Sequence, residues 1–350
     1  MYYPLIRSLL FRFDAETSHH VALRSMAIAN SLGLLGLLHK TPQQPVKVMG
    51  IDFPNAVGLA AGLDKNGDYI DALAALGFGF IEIGTITPRP QVGNPQPRLF
   101  RLPEAQAIIN RMGFNNLGVE HLVNQVKKAK YQGVLGINIG KNFDTPVENA
   151  ADDYVHCLEK VYDLASYVTV NISSPNTQGL RSLQTGSAFS DLLSQLKETQ
   201  ARLAAQYGHY VPLVVKIAPD LQDEEIEYMA DQLVQYKIDG VIATNTTITR
   251  PGIESLNLAS ETGGLSGKPL KALSNYTLSR LCTALDGRIP VMGVGGITDG
   301  MSAADKITMG ASLVQLYTGF IYQGPQLIED AVAAIKALEL LQSAVQQDVV

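Results

Sequence analysis

The sequence predicts an α/β protein, a (β/α)8 TIM barrel preceded by an N-terminal helical extension. After residue 45, short apolar runs alternate with helical patterns, which is typical of a parallel sheet covered by helices on both faces. Eight such units occupy about 290 residues, as expected for a barrel of usually ~250 residues that carries insertions. Polar side chains follow the runs at their carboxyl ends, where such barrels place their chemistry.

The first forty residues differ in pattern from the rest of the chain. Leu5, Leu9, Leu10 and Phe13 recur at helical spacing, and a second apolar stretch covers 21–38. This segment carries a formal charge of +2 in a chain of net charge −6, so the remainder carries −8. Two short, weakly basic amphipathic helices are typical of a segment that lies on a membrane surface. A helical hairpin that packs on its own core is equally compatible with the pattern.

The apolar runs are interpreted as the eight barrel strands. They cover 55–62, 80–85, 135–140, 167–173, 212–219, 239–247, 289–296 and 312–319. Helical patterns between them include 147–164, 187–206, 223–237, 299–309 and 325–342. Two insertions, 88–102 and 250–269, account for the extra length. We therefore divide the chain into N-terminal helices at 1–40, a linker at 41–45 and a barrel at 46–340.

Composition and charge exclude several classes of protein. With 46% hydrophobic and 17% charged residues, the chain is neither collagen-like nor disordered, and its negative net charge lacks the footprint of a nucleic-acid binder. Cys157 and Cys282 are far apart, which argues against a thiolate metal site and for a reducing compartment. The histidines show no metal-binding spacing, so we expect no metal. No run is long enough to span a membrane, and Arg7, Arg12 and Asp14 interrupt any signal peptide.

Three local motifs have defined chemical meanings. GVGGIT at 293–298 lacks the third glycine of a dinucleotide-binding fingerprint but suits a loop whose amide groups bind a phosphate. GGLSGK at 263–268 has the wrong spacing for a nucleotide-binding P-loop. No GxSxG pattern surrounds Ser174, so an esterase is not indicated.

Polar residues at the strand ends are the strongest functional signal. A single Asn at such a position is usually a turn former, whereas in a barrel all eight strand ends converge on one mouth. The residues are Lys65, Thr85, Asn138, Lys141, Asn171, Ser174, Lys216, Asn245, Thr246, Gly295, Gly296, Tyr317 and Thr318.

Several long motifs resemble the dihydroorotate dehydrogenase family. They are GLAAGLDKNG (58–67), EIGTITPRPQVGNPQPRLFRL (82–102), INRMGFNNLG (109–118), GINIGKN (136–142), VNISSPNTQGLR (170–181), VKIAPD (215–220), ATNTT (243–247), GGLSGKPL (263–270) and GVGGI (293–297). The match runs from the N-terminus to about residue 335. The helical extension and Ser174 resemble the membrane-associated, quinone-reducing class. The soluble classes use a cysteine base, and neither Cys157 nor Cys282 matches its position.

The resemblance implies one bound FMN and the oxidation of (S)-dihydroorotate to orotate in pyrimidine (UMP) biosynthesis. The implied flavin contacts are Ala61, Gly62, Leu63, Asp64, Lys65, Thr85, Asn138, Asn171, Lys216, Thr244, Gly267, Gly296, Tyr317 and Thr318. The implied substrate contacts are Lys65, Asn110, Arg111, Met112, Gly113, Phe114, Asn171, Asn176, Asn245 and Thr246. Ser174 is the implied catalytic base. His19 and Arg101 resemble polar residues of the family's quinone tunnel, with a surface ion pair as the alternative for Arg101.

These residue types suit the implied chemistry. Dihydroorotate is a cyclic imide with a carboxylate, so asparagine amides match its edges and Lys65 supplies positive charge. Lys216 would stabilise negative charge on a flavin ring. The hydroxyl of Ser174 is a weak base and would need activation by hydrogen bonding.

The resemblance further implies a peripheral protein at the cytoplasmic face of the cell membrane. Its expected partners are dihydroorotate and orotate, a membrane quinone and the membrane surface, with no nucleic acid. A monomer is compatible with the sequence, which does not fix the oligomeric state. Two other functions remain open on the residues alone: an aldolase that forms a Schiff base at Lys65, and a non-catalytic, membrane-docked ligand-binding barrel.

Overall fold

The computed structural model describes residues 3–177 and 179–347, and it begins with three helices. These are α1 (Tyr3–Leu10), α2 (Ala15–Ser31) and α3 (Leu34–Leu38). Asp14 caps α2, because its carboxylate accepts a hydrogen bond from the amide of Thr17 at 2.9 Å. Gly33 turns the chain between α2 and α3 with a φ of 73°, a left-handed conformation that favours glycine.

The strands of the described residues form a hairpin, a closed barrel and a small separate sheet. In chain order they are β1 (Val46–Val48), β2 (Ile51–Phe53), β3 (Val57–Leu59), β4 (Phe80–Ile86), β5 (Leu99–Leu102), β6 (Ala107–Asn110), β7 (Val134–Ile139), β8 (Tyr167–Asn171), β9 (Leu213–Ile217), β10 (Gly240–Ala243), β11 (Gly264–Gly267), β12 (Val291–Val294) and β13 (Leu313–Leu316). The barrel order is β10-β12-β13-β3-β4-β7-β8-β9, with every pair parallel. Each predicted run overlaps one barrel strand, so the predicted TIM barrel is confirmed.

Helices cover the outside of the barrel. They are α4 (Ile70–Ala74), α5 (Val119–Lys128), α6 (Ala150–Val161), α7 (Gly186–Tyr207), α8 (Asp223–Gln235), α9 (Lys271–Leu285), α10 (Gly300–Thr308), α11 (Thr318–Gln323) and α12 (Gln326–Gln347). The five helical patterns singled out in the sequence correspond to α6, α7, α8, α10 and α12. The strands β4, β7, β8 and β9 are buried along their whole length, which explains their continuous apolar runs.

The two insertions meet in a three-stranded antiparallel sheet of order β11-β6-β5. Asn110, at the end of β6, lies opposite Gly264 on one side and Leu99 on the other. We call this unit the insertion sheet. It has a small hydrophobic core of its own, formed by Leu102, Ala107, Ile109, Ile253 and Leu265.

A buried ion pair fixes α2 to the insertion sheet. Arg98 directly precedes β5, and its Nη2 lies 2.6 Å from Glu16 Oε1. The Nε of Arg98 donates to both oxygens of Glu16, and Gln96 Nε2 donates to the same carboxylate at 3.0 Å. Because both charged side chains are almost fully buried, the N-terminal helices are anchored to the barrel domain by a specific contact.

The N-terminal helices nevertheless leave many apolar side chains uncovered. Leu5 is 72% exposed, Leu9 58% and Leu37 81%, and α1 contains no buried residue. Leu23 of α2 and Leu35 of α3 are buried in the main hydrophobic core, so these helices are packed on one side and exposed on the other. Monomeric soluble proteins rarely expose large apolar patches without a partner. No helix in the described part of the chain is long and apolar enough to cross a bilayer.

Candidate active site

A cavity opens at the carboxyl ends of the barrel strands. Its volume is about 1010 Å³, counted with the open space at its mouth. The insertion sheet contributes Asn110, Ser266 and Gly267 to its wall. Because this volume includes open solvent, the lining residues rather than the volume indicate which ligand the cavity can hold.

Most residues selected from the sequence line this cavity, although they are widely separated in the chain. They are Ala61, Gly62, Lys65, Thr85, Asn110, Met112, Gly113, Phe114, Asn171, Ser174, Asn176, Lys216, Thr244, Asn245, Thr246, Gly267, Gly296, Tyr317 and Thr318. The barrel thus brings polar ends of its strands together with the insertion sheet around one space.

A buried carboxylate joins four strands below the cavity lining. Glu82 precedes Thr85 by three residues in β4 and has no exposed surface. It accepts hydrogen bonds from Asn138 Nδ2 at 2.8 Å, Gln315 Nε2 at 2.7 Å, Tyr167 Oη at 3.0 Å and Thr169 Oγ1 at 3.2 Å. Buried carboxylates persist where their oxygens are satisfied in this way. Glu82 therefore fixes the orientation of the two amides.

From this carboxylate a chain of hydrogen bonds leads up to the cavity wall. Thr85 Oγ1 donates to Asn138 Oδ1 at 2.6 Å and accepts from Asn171 Nδ2 at 2.9 Å. Asn245 Nδ2 donates to Ser173 Oγ at 3.0 Å and approaches Asn171 Oδ1 at 3.4 Å. The asparagine amides are therefore held in set orientations, which is a condition for recognising an amide-like ligand.

Ser174 lies at the cavity wall, three residues after the end of β8 at Asn171. Its side chain is largely buried, and its Oγ accepts a hydrogen bond from the amide of Asn176 at 3.3 Å. Asn176 Nδ2 in turn donates to the carbonyl oxygen of Asn110 at 3.1 Å. Arg181 Nε donates to the carbonyl of Ser173 at 3.0 Å. The segment carrying Ser174 is thus fixed from both sides.

Two lysine amines border the cavity. In the part of the chain that the structure describes, neither Lys65 nor Lys216 donates a hydrogen bond from its Nζ, and both line the cavity. Burial lowers the pKa of Lys216, and the charge of Glu82 opposes this shift. Burial also lowers the pKa of Lys65 to about 8, with Glu16 acting in the opposite direction. Both amines are available to an anionic or acceptor-rich ligand.

A turn of two glycines follows β12 at the cavity. Gly295 and Gly296 have φ values of 107° and 75°, which non-glycine residues rarely adopt. Within residues 3–177 and 179–347, the amides of Gly295, Gly296 and Ile297 donate to no backbone carbonyl, and all three residues line the cavity. Successive free amides of this kind form an anion-binding site. This observation supports the phosphate loop predicted from GVGGIT.

Four of the predicted barrel residues stand behind the cavity lining. Leu63 is part of the core, and Asn138 supports Thr85 as described. Asp64 accepts hydrogen bonds from two amides of the following loop at 3.0 and 2.8 Å, and burial raises the pKa of Asp64 to about 6. Arg111 points elsewhere, since its Nη1 lies 2.6 Å from Glu261 Oε2.

Of the two residues predicted for the quinone site, His19 is part of α2 and Arg101 reaches the N-terminal region from β5. Burial lowers the pKa of His19 to about 3, and the charge of Lys65 acts in the same direction, so His19 is a neutral imidazole within electrostatic range of Lys65. Arg101 donates to the carbonyl of Leu10 at 3.4 Å and also to that of Phe13. Its guanidinium carbon lies 4.5 Å from the ring centre of Phe11. Among the described residues it forms no ion pair.

Several lining residues were not assigned a ligand from the sequence. They are Ala60, Pro175, Ser266, Leu270, Val294, Gly295, Ile297, Gln315 and Gly319. Gln315 and Glu82 could have been found by the signal that identified Lys216, because each is a polar residue inside an apolar strand run. Lys141, by contrast, turns its Nζ to the carbonyls of Asn142 and Thr145, at 2.9 and 2.7 Å.

The assembled groups are amides, hydroxyls, two amines and free backbone N–H groups. Within the described ranges, no three His, Cys, Asp or Glu side chains are grouped so as to hold a metal ion. Such a wall can bind an anion at the glycine turn and a flat, amide-bearing ligand at the asparagines, with the Ser174 hydroxyl beside it.

Comparisons with known proteins agree with this geometry. The family model described as dihydroorotate dehydrogenase matches residues 44–338. A protein of Cellvibrio japonicus named dihydroorotate dehydrogenase (quinone) is 63% identical over 334 residues, covering 95% of this chain and 98% of that protein. A protein of the same name from Azotobacter vinelandii is 60% identical over 337 residues, covering 96% of this chain and 97% of its own.

Solved structures with this fold include a DHODH of Eimeria tenella in complex with ferulenol. It superposes with a TM-score of 0.87 at 37% identity, covering 95% of this chain and 93% of that chain. The ligand-free form from the same organism gives a TM-score of 0.80 at 40% identity, with 87% and 89% coverage. On the extent of these matches, the chain belongs to the dihydroorotate dehydrogenase family.

Proposed function

We propose that this protein oxidises (S)-dihydroorotate to orotate with bound FMN and passes the electrons to a membrane quinone. The observation that carries the proposal is a cavity that combines a glycine turn suited to an anion, two lysine amines that donate no hydrogen bond within the described residues, and a ring of oriented asparagines. Family membership supports the same reaction.

The cavity fits FMN on its own residues. The free amides at Gly295, Gly296 and Ile297 suit its phosphate, with the hydroxyl of Thr318 on the same lining. Lys216 suits the pyrimidine part of its ring. The residues proposed to contact it are Ala61, Gly62, Lys65, Thr85, Asn171, Lys216, Thr244, Gly267, Gly296, Tyr317 and Thr318. Held by these residues, FMN would supply the hydride-accepting and electron-transferring chemistry that oxidation at C6 of the substrate requires.

The substrate would lie against the asparagines and the insertion sheet. Asn110, Asn171, Asn176 and Asn245 offer donors and acceptors to the imide edge of dihydroorotate. Lys65 supplies the positive charge that its carboxylate requires. Met112, Gly113, Phe114 and Thr246 complete the proposed contacts. Arg111 is left out of this set, because its guanidinium is engaged by Glu261.

Ser174 is the proposed base for the proton at C5. Its Oγ accepts a hydrogen bond from the amide of Asn176, which stabilises the oxygen as electron density on it grows. A serine hydroxyl is a weak base, so as it takes the proton from C5 its own proton must pass to solvent at the open end of the cavity.

The N-terminal helices are the proposed membrane contact and quinone entrance. Their exposed leucines supply an apolar surface, and a quinone with an apolar tail needs such a path. His19 is proposed to line this path, because it is a neutral imidazole of α2 that feels the charge of Lys65. Arg101 is a weaker candidate for holding a quinone oxygen, because backbone carbonyls already accept its hydrogen bonds. We propose that the protein acts at the cytoplasmic face of the cell membrane.

The test is an assay of the purified full-length chain. It should be yellow with a flavin spectrum, and it should form orotate from dihydroorotate with a quinone but not with fumarate or NAD in parallel reactions. A colourless protein would contradict the proposal and favour Schiff-base chemistry at Lys65. Flavin binding without orotate formation with any acceptor would favour a non-catalytic ligand-binding barrel.

A further inference from the structure

Lys306 is a buried amine for which the proposed reaction has no use. It lies in α10 and has no exposed surface. Its Nζ donates to Ser274 Oγ at 2.5 Å, and Ser274 Oγ donates to the carbonyl oxygen of Val294 at 2.5 Å. Val294 is the last residue of β12 and directly precedes the glycine turn.

This hydrogen-bond chain ends behind the turn that carries the free amides. The carbonyl of Val294 also accepts a hydrogen bond from the amide of Thr244 at 3.0 Å, and Thr244 lines the cavity. A methyl group placed on Gly295 would come within 2.8 Å of Ser274 Oγ. Ser274 is therefore packed directly against the turn, and its bond to Val294 fixes the peptide from which the turn begins.

The charge of Lys306 has no counter-charge bonded to it among the described residues. An ammonium group has three donors, and here one hydrogen bond is formed. Burial lowers the pKa of Lys306 to about 7, the charge of Lys271 acts in the same direction, and that of Asp305 opposes both. Lys271 itself is paired with Asp305 at 2.8 Å. A buried cation in this position is stabilised by an anion in the neighbouring cavity.

We propose that Lys306 is a positioning residue for the phosphate end of the flavin nucleotide, acting through Ser274 and Val294 on the glycine turn and adding positive charge behind it. The inference rests on the proposed function, because it takes FMN as the ligand. Lys306 in α10 and Ser274 in α9 would thus contribute to FMN binding although neither residue lines the cavity.

The experiment compares FMN with riboflavin, which lacks the phosphate. Full-length protein freed of flavin is titrated with each ligand, and binding is followed by the quenching of ligand fluorescence. Lys306→Met should weaken FMN binding about ten-fold and leave riboflavin binding unchanged. Ser274→Ala should act in the same direction with a smaller effect. The control is Lys336→Met, since Lys336 is an exposed lysine of α12 and should change neither affinity.

Thermal unfolding separates this role from a structural one. Methionine replaces a buried charge by an apolar chain of similar length, so flavin-free Lys306→Met should unfold at no lower a temperature than wild type. The rise in unfolding temperature on adding FMN should be smaller in the variant. If Lys306→Met does not fold, the test rests on Ser274→Ala. A loss of FMN affinity that exceeds its loss of riboflavin affinity supports the inference, and an equal loss of both contradicts it.

An equal loss of FMN and riboflavin affinity would overturn the inference, because it would indicate a general disturbance of the cavity. Unchanged FMN affinity in the Lys306 and Ser274 variants would overturn it as well. A wild-type protein that binds no FMN would instead refute the proposed function, and the inference with it. The two failures are therefore distinguishable.

Discussion

The barrel mouth and the N-terminal helices reverse the usual distribution of polar and apolar groups. Just below the mouth, Glu82 is completely buried and accepts four hydrogen bonds. In the N-terminal helices, Leu5 and Leu37 are 72% and 81% exposed. Polar groups are tolerated inside a protein when their hydrogen bonds are satisfied, whereas clustered apolar groups on the outside indicate a partner.

Because the two regions differ in this way, a substitution in one of them should impair its own function and leave that of the other intact. A change at the mouth should affect orotate formation with every electron acceptor, because it alters the step that all acceptors share. A change on the exposed face of the helices should affect only reactions that require a membrane. The ion pair of Glu16 and Arg98 joins the two regions, so a change there should act on the whole fold.

The largest expected effect is that of Ser174→Ala at the mouth. Orotate formation should fall about 10²- to 10⁴-fold with any acceptor, because general-base catalysis usually contributes that much. Flavin content should stay at the wild-type level. Orotate is measured by its absorbance, with Ser187→Ala, an exposed serine of α7, as the control. Near wild-type turnover in Ser174→Ala would remove Ser174 from the mechanism.

The next largest effect is expected for Glu82→Ala. Four donors lose their acceptor, and the free energy of unfolding should fall by about 3–5 kcal/mol, as for other broken buried charged networks. Urea unfolding followed by circular dichroism measures this, since the chain contains no tryptophan. Glu329→Ala, at an exposed position of α12, serves as the control. A change below about 1 kcal/mol would mean that the four hydrogen bonds are not a stabilising unit.

The third prediction concerns the exposed face alone. Leu9→Ser combined with Phe13→Ser should weaken binding to phospholipid vesicles at least ~10-fold, because each apolar side chain gains about 1.5–3 kcal/mol on full burial. Orotate formation with a water-soluble acceptor should not change. The matched control is Leu340→Ser with Leu341→Ser, which are 63% and 66% exposed on α12. If both pairs weaken vesicle binding equally, the N-terminal helices are not a dedicated membrane contact.

The smallest effect is expected for Glu16→Gln, which keeps a hydrogen-bond acceptor but removes the charge. Burial alone would raise the pKa of Glu16, but the hydrogen bonds and charge of Arg98 outweigh it and hold this pKa below its usual value. The wild-type protein should therefore be stabilised above pH ~4.3 and lose this contribution as the pH falls through the lowered pKa.

Glu16→Gln should unfold about 1–3 kcal/mol more easily at neutral pH and lose part of the pH dependence below pH ~5. Circular dichroism melting between pH 3 and pH 7, at steps of about half a unit, measures both. Glu104→Gln, an exposed carboxylate beside β5, is the control. An identical pH profile for Glu16→Gln and wild type would show that the ion pair contributes no stability.

The barrel could be predicted from the sequence because its signals are local. Each strand is a continuous apolar run, and residues such as Lys216 and Asn171 interrupt a run where a side chain faces the mouth. Glu82 and Gln315 also interrupt apolar runs, but neither stands at a strand end, so a search restricted to strand ends does not identify them. A polar residue in the middle of a strand indicates a buried polar partner or ligand wherever the surrounding side chains exclude solvent.

The insertion sheet could not be predicted in the same way. Its strands have four residues each, and the pairing of Asn110 with Gly264 joins segments that are far apart in the chain. β11 reads as a glycine-rich loop, because Gly264 and Gly267 give it no strand pattern. Arg111 shows a related limit: motif adjacency put it with Asn110 at the substrate, whereas the fold turns it to Glu261.

The ion pair between Glu16 and Arg98 makes its two positions hard to change one at a time. Replacing Glu16 by an apolar residue while α2 stays in place would leave the guanidinium of Arg98 buried without its counter-charge, at a destabilisation of about 3–5 kcal/mol. A lineage or a designer that changes Glu16 in this way must therefore also replace Arg98. The two changes are epistatic across 82 positions, so a chain with Glu16→Leu and Arg98→Met should express better than one with Glu16→Leu alone.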